Sequence, residues 1–193
     1  MPRGAEAGPA SVVIRDGGAR WFSSRPCVLP KVDSPLLRFM ALAPGDRAPL
    51  IALEDAQGME RRSDQLGGRP LVLFFYPKDD TPGCTAEACA FRDSHADLQA
   101  LGAEVWGVSG DDAASHRRFA ERHGLPFPLL VDRGNALRRA FGVPSVLGLL
   151  PGRVTYVIDG QGVVRHVFNN LLDGPAHRRE ALEALRRLQG QGG

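Results

Sequence analysis

Cysteine is scarce in this chain: there are three in 193 residues. So small and odd a number cannot build a disulfide scaffold, and it suits an intracellular protein whose thiols rest reduced. Long apolar runs are missing too. No stretch reaches the roughly 18 residues needed to cross a bilayer, and residues 1–39 lack the continuous apolar segment of a secretory signal. Charge of one sign is also short. Residues 1–39 carry a net +3 and residues 40–193 a net −1, for +2 overall. A body so near neutrality offers no electrostatic footprint for nucleic acid. There is no internal repeat.

What remains is ordinary globular composition, 43% apolar and 24% charged, in a chain long enough for one well-buried α/β domain. Residues 1–39 mix Gly, Pro, Ser and Arg without sustained periodicity and read as a disordered leader. That leader is either a transit peptide or the product of a mis-assigned start, since Met40 opens a sensible beginning for a folded domain over 40–193.

From Pro44 onward the pattern alternates. Leu50 to Leu53 is a short apolar segment, with a turn at Gln57-Gly58 before Met59 to Arg62. Leu71 to Tyr76 is a continuous apolar run, the mark of a central strand covered on both faces. A helix is predicted from about Thr85 to Leu101, and a strand over Glu104 to Ser109. Asp111 or Asp112 then caps a helix that ends near His123-Gly124. A strand at Leu129 to Val131 and a helix through Ala136 to Phe141 follow. Val154 to Ile158 and Val163 to Phe168, joined at Asp159-Gly160, read as a hairpin. Leu182, Leu185 and Leu188 mark a closing amphipathic helix. Strands alternating with helices, then a hairpin and a last helix, fit a thioredoxin-like α/β fold: a central mixed β-sheet flanked by helices.

The chemistry concentrates between Phe74 and Cys89. Cys84 follows a buried strand directly, where the chain enters a helix. The unpaired amides and positive dipole end of such a helix favour a thiolate, the nucleophilic form of sulfur. Pro77 and Pro82 stiffen the loop, and Thr81, three residues before Cys84, has its hydroxyl within reach of the sulfur or of an oxygen bound to it. Cys89 lies five residues on, roughly 8–9 Å away in a regular helix. That exceeds the roughly 7 Å limit for a disulfide, so if the two sulfurs bond, the first helical turn must unwind.

The pattern Pro77-x-x-x-Thr81-x-x-Cys84 resembles the peroxiredoxin signature, and a second cysteine five residues later resembles the peroxiredoxin Q, or bacterioferritin comigratory protein, branch. Gly107 to Asp112, Leu125 to Leu130 and Leu150 to Asp159 extend the likeness, which runs from about Met40 to Leu188. The resemblance implies a thiol peroxidase acting on hydrogen peroxide and organic hydroperoxides. By it, Cys84 is the peroxidatic cysteine and Cys89 the resolving one, joined as an intramolecular disulfide. Thr81 hydrogen-bonds thiolate and peroxide, Pro77 shields the oxidised sulfur, Arg153 favours the thiolate and holds the peroxide, and Glu87 positions Arg153. It further implies recycling by thioredoxin or a similar dithiol, no cofactor and a monomer. It points to a bacterial, cyanobacterial-like cytoplasm, or to a chloroplast if residues 1–39 are a transit peptide.

Other readings are blander. Chain spacing alone makes Arg153 a solvated strand-edge residue, Glu87 a complement to the helix dipole, and Lys78, Asp79 and Asp80 solvated loop charges. His116, His123, His166 and His177 fall on predicted surface helices and a strand. Cys84, Cys89 and His95, at offsets of five and six, do not share the i, i+4 face of helical metal ligands. Two rival functions stand beside the peroxidase. A thioredoxin-like disulfide oxidoreductase would carry Cys-x-x-Cys, where this chain has four intervening residues; a non-enzymatic thiol redox sensor would not turn over. Cys27 lies in the leader, and its surroundings give it no role.

Overall fold

The computed structural model describes residues 41–146 and 150–190; the leader and Cys27 lie outside the described residues. A small antiparallel hairpin, β1 (Ala52–Glu54) with β2 (Glu60–Arg62), precedes β3 (Leu71–Phe75). Helix α1 (Pro82–Asp93) and helix α2 (His95–Ala100) lead to β4 (Glu104–Ser109). Then come α3 (Ala113–His123), β5 (Leu129–Val131) and α4 (Ala136–Ala140). A two-residue pair, β6 (Ser145–Val146) and β7 (Leu150–Pro151), precedes the hairpin β8 (Val154–Ile158) and β9 (Val164–Asn169), and α5 (Gly174–Gly190) closes the fold.

Five strands form the main sheet in the order β5-β4-β3-β8-β9. β3, β4 and β5 run parallel, while β8 is antiparallel to both β3 and β9, so the sheet is mixed as the alternation of elements predicts. All five residues of β3 are buried because both of its faces are covered. Val72, Phe74 and Tyr76 point into a core closed by Cys84, Ala88 and Phe91 of α1, Phe119 of α3, and Ala181, Leu182 and Leu185 of α5. Leu71, Leu73 and Phe75 point into a second core with Trp106, Leu137, Phe141 and Tyr156. Gly107 of β4 faces the first of these cores, where a Cβ would sit 2.7 Å from Leu129 and 2.8 Å from the Phe74 ring.

Two local expectations change. The helix read as continuous to Leu101 breaks at Ser94 (φ −112°, ψ 12°); serine is a poor interior residue because its hydroxyl competes for backbone groups. The β8–β9 connection is not a two-residue Asp-Gly turn. The Asp159 carboxylate accepts from the Gln161 and Val163 amides, and the positive φ falls on Gly162 (77°), which lengthens the loop. Elsewhere the caps follow chemistry: Asp112 accepts from the Ser115 amide at the start of α3, and left-handed Gly124 ends it.

Candidate active site

β3 delivers the chain to the loop 77–81 and α1 receives it, with Pro82 at the first helical position, where its missing N–H costs nothing. Thr81 is the extended residue before the helix; its backbone carbonyl accepts from the Thr85 amide. Its hydroxyl donates to the Lys78 carbonyl at 3.1 Å, so in this conformation its bond goes to the loop backbone. Pro77 is half-buried at the loop's start.

Cys84, in the first turn of α1, is 1% exposed. Arg153, immediately before β8, reaches it from the strand that pairs directly with β3. Its Nη2 donates to Cys84 Sγ at 3.4 Å, Nη1 to the Gly83 carbonyl at 3.2 Å and to Glu87 Oε2, and Nε to the Leu171 carbonyl at 3.2 Å. This guanidinium is buried, not the solvated strand-edge group that spacing alone predicts. A planar cation with fixed donors can hold four acceptors at once, which an ammonium cannot. Glu87 follows Cys84 by three residues, which puts both on one face of α1. It is fully buried, and that burial pushes its carboxyl up to about 8 against the opposing pull of Arg153. Cys89 lies half-buried in the same unbroken helix, and both thiols are free.

Several contributors escape the sequence reading. Asp79 is not solvated: it is 5% exposed, accepts from the Tyr76 hydroxyl at 2.8 Å, and meets Nδ1 of buried His116 at 2.9 Å. Burial alone would raise its carboxyl, but the bonds from His116 and Tyr76 outweigh that and hold it below the usual range. This cluster anchors the loop 77–81 to α3. Arg138 of α4 is also buried and donates to the Tyr76 carbonyl and the Gly152 carbonyl, both at 2.7 Å, fastening the start of the loop to the residue before Arg153. His177 of α5 is buried beside Glu87. For the histidines a signal existed: His116 lies one turn before Phe119, and His177 lies at i, i+4, i+8 with Ala181 and Leu185, on the apolar stripes of their helices. Arg138 had none, since its neighbour Arg139 is the same residue type facing solvent.

A buried thiol at a strand-to-helix junction, gripped by a buried arginine in a thioredoxin-like sheet, is the arrangement of a class of cysteine-based redox enzymes. Comparison with known proteins is specific. Residues 44–167 match the AhpC/TSA family. Peroxiredoxin Q, chloroplastic, of Oryza sativa subsp. japonica is 50% identical over 145 residues, 75% of this chain and 67% of that protein. Peroxidoxin BcpB from Mycobacterium tuberculosis is 37% identical, with a TM-score of 0.71 over 77% of this chain and 98% of the other. The Xanthomonas campestris bacterioferritin comigratory protein, whose structure is described for its alkyl peroxide reduction activity, is 31% identical, with a TM-score of 0.67 over 74% and 99%. The chain belongs to the AhpC/TSA family, in its peroxiredoxin Q branch, and is a thiol-dependent peroxidase with the thioredoxin fold. Such enzymes take peroxide substrates and thioredoxin-like reductants. Among the described residues no helix is long and apolar enough to cross a membrane.

Proposed function

We propose that Cys84 is the peroxidatic cysteine and Cys89 its resolving partner. The Cys84 thiolate attacks the distal oxygen of a hydroperoxide; the O–O bond breaks, an S–O bond forms, and the leaving oxygen takes a proton to depart as water or an alcohol. The Cys89 thiol then displaces water from the sulfenic acid to give the Cys84–Cys89 disulfide, and a dithiol protein, thioredoxin, returns both sulfurs to thiols. The observation that carries this reading is the bond from Arg153 Nη2 to Cys84 Sγ at 3.4 Å, with both groups buried. The same guanidinium favours negative charge on sulfur and on the departing oxygen. Glu87 positions Arg153, Pro77 shields the sulfur from the loop side, and Thr81 exchanges its Lys78 bond for the peroxide when substrate enters.

The organic-peroxide half of the substrate range draws support from the alkyl peroxide reduction activity of the Xanthomonas relative. The chloroplast named for the rice relative favours reading residues 1–39 as a transit peptide ahead of a domain over 40–193, in preference to a bacterial cytoplasmic protein. The branch resemblance supports a monomer. NADPH-coupled reduction of hydrogen peroxide with thioredoxin tests the cycle in the wild type, Cys84→Ser and Cys89→Ser. Both variants are expected to lose turnover, and Cys84→Ser to lose even the single-turnover reaction. Full activity in Cys84→Ser would overturn the assignment of the nucleophile; full turnover in Cys89→Ser would overturn the two-cysteine cycle.

A further inference from the structure

Where the pairing of β3 with β8 stops, a buried arginine takes over from the backbone. The last pair in register is Phe75 with Val154. Beyond it, among the described residues, no backbone hydrogen bond joins the two strand ends. The Arg138 guanidinium lies there instead, in a residue only 3% exposed. Its Nη2 donates to the Tyr76 carbonyl and its Nη1 to the Gly152 carbonyl, both at 2.7 Å. Those carbonyls belong to the peptide groups that open Pro77 and Arg153. Peptide groups are planar, so each bond fixes the direction in which the chain leaves its strand. The Tyr76–Pro77 group has no N–H, and its carbonyl is the one polar handle by which that plane can be held.

Arg138 is itself held in place. Asp132, buried just after β5, accepts from the Leu137 amide on Oδ1 at 2.9 Å and from the Arg138 amide on Oδ2 at 2.8 Å, which fixes the backbone the side chain starts from. The guanidinium carbon lies 5.6 Å from the centroid of the Phe75 ring, close enough for the ring face to favour the cation. Its Nε has no partner. A dry cation with two carbonyls for acceptors and an idle N–H is a poor source of stability. What distinguishes its place is what the fork holds together.

We propose that Arg138 is a positioning residue for peroxide reduction: its fork sets the separation of the two segments that carry Cys84 and Arg153, and through it the 3.4 Å bond from Arg153 to the sulfur. The inference rests on Cys84 as the peroxide-reducing thiol. An ammonium is a point donor on a flexible stem and cannot hold two carbonyls in one fixed plane. A shift of about 1 Å between the strand ends takes Arg153 Nη2 out of bonding reach of the sulfur, and misplacement on that scale costs up to about 100-fold in rate.

Variants of the full chain test it, each assayed at a temperature where circular dichroism shows it folded. Arg138→Lys keeps the charge and gives up the fork; Arg138→Met fills much of the volume and has no donor. Arg139→Gln, at the exposed neighbouring position, is the control. Stopped-flow oxidation of Cys84 by hydrogen peroxide is expected to slow about tenfold in Arg138→Lys and about 100-fold in Arg138→Met, and to stay unchanged in Arg139→Gln. Alkylation of Cys84 by iodoacetamide, followed by peptide mass against pH, is expected to move to higher pH in both Arg138 variants, because Arg153 no longer meets the sulfur squarely. Wild-type rate and alkylation profile in a folded Arg138 variant overturn the inference, and Arg138→Lys carries the test if Arg138→Met does not fold. The decisive comparison is Arg153→Lys with and without Arg138→Lys. A residue that acts through Arg153 adds little to the loss already caused by Arg153→Lys; a further loss of about tenfold shows independent action and overturns the inference. Alkylation uses no peroxide. If Cys84→Ser still consumes peroxide, the nucleophile assignment falls, while the alkylation profile still decides whether Arg138 aligns Arg153 with this sulfur.

Discussion

Arg153 uses all three guanidinium nitrogens, on one sulfur, one carboxyl and two carbonyls. That saturation is what makes a buried cation tolerable, since an unpaired charge away from water costs several kcal/mol. It also fixes the cation's direction, and therefore its effect on Cys84. Arg153→Lys keeps the charge but replaces the fork with a point donor on a flexible stem. The rate of Cys84 oxidation, followed by stopped flow, is expected to fall about 100-fold, the usual result of losing one preorganised donor; an unchanged rate would remove Arg153 from the mechanism. At this scale the sequence was informative only where the residue's own chemistry is local. A cysteine after a buried strand and before a helix declares itself. Arg153, Asp79, His116, Arg138 and His177 do not, because whether a polar side chain is solvated depends on what distant segments place over it.

Helix α5 begins in close contact with α1. A Cβ on Gly174 would lie 2.7 Å from the Gly83 carbonyl and 3.0 Å from the Glu87 Cβ, so glycine is what lets α5 approach the first turn of α1. Gly174→Ala is expected to push the two helices apart at a cost of about 1–3 kcal/mol. The same change should slow peroxide reduction, because the Gly83 carbonyl it presses on and the Glu87 carboxyl beside it both accept from Arg153. Gly190→Ala, at the far end of the same helix with no atom within 4 Å of the added carbon, serves as the control. Urea denaturation of the two variants reads the difference; equal midpoints would show that the close approach carries no weight. The strands of the main sheet were nearly all legible, β4, β5 and β8 to the residue, because covered strands are short unbroken apolar runs. The break at Ser94 and the Asp159 loop were not, since each depends on where a backbone hydrogen bond is made once neighbouring elements are packed.

For the molecule as a whole, the buried acid and the buried histidine make stability depend on pH in opposite senses. Burial raises the Glu87 carboxyl from 4.5 to about 8, so the folded protein keeps a proton that the unfolded chain releases, and stability falls as pH climbs through that range. Burial lowers the His177 imidazole from 6.5 to about 4, so the unfolded chain takes the proton first and stability falls as pH drops through that range. Between 6.5 and 8 only the Glu87 effect acts. The urea midpoint of the wild type is expected to decline more steeply across that interval than that of Glu87→Gln, which has no proton to lose; parallel declines would show that Glu87 is ionised in the folded state. The sequence by itself determined the alternation of strands and helices, the two-sided burial of β3 and the position of Cys84, because apolar periodicity and helix entry are properties of neighbouring residues. Only the tertiary structure decided which charges are dry. Arg153 stands 69 residues from Cys84 and His177 stands 90 residues from Glu87. The low dielectric that gives these groups their force exists only after α1, α5 and the sheet have closed over them.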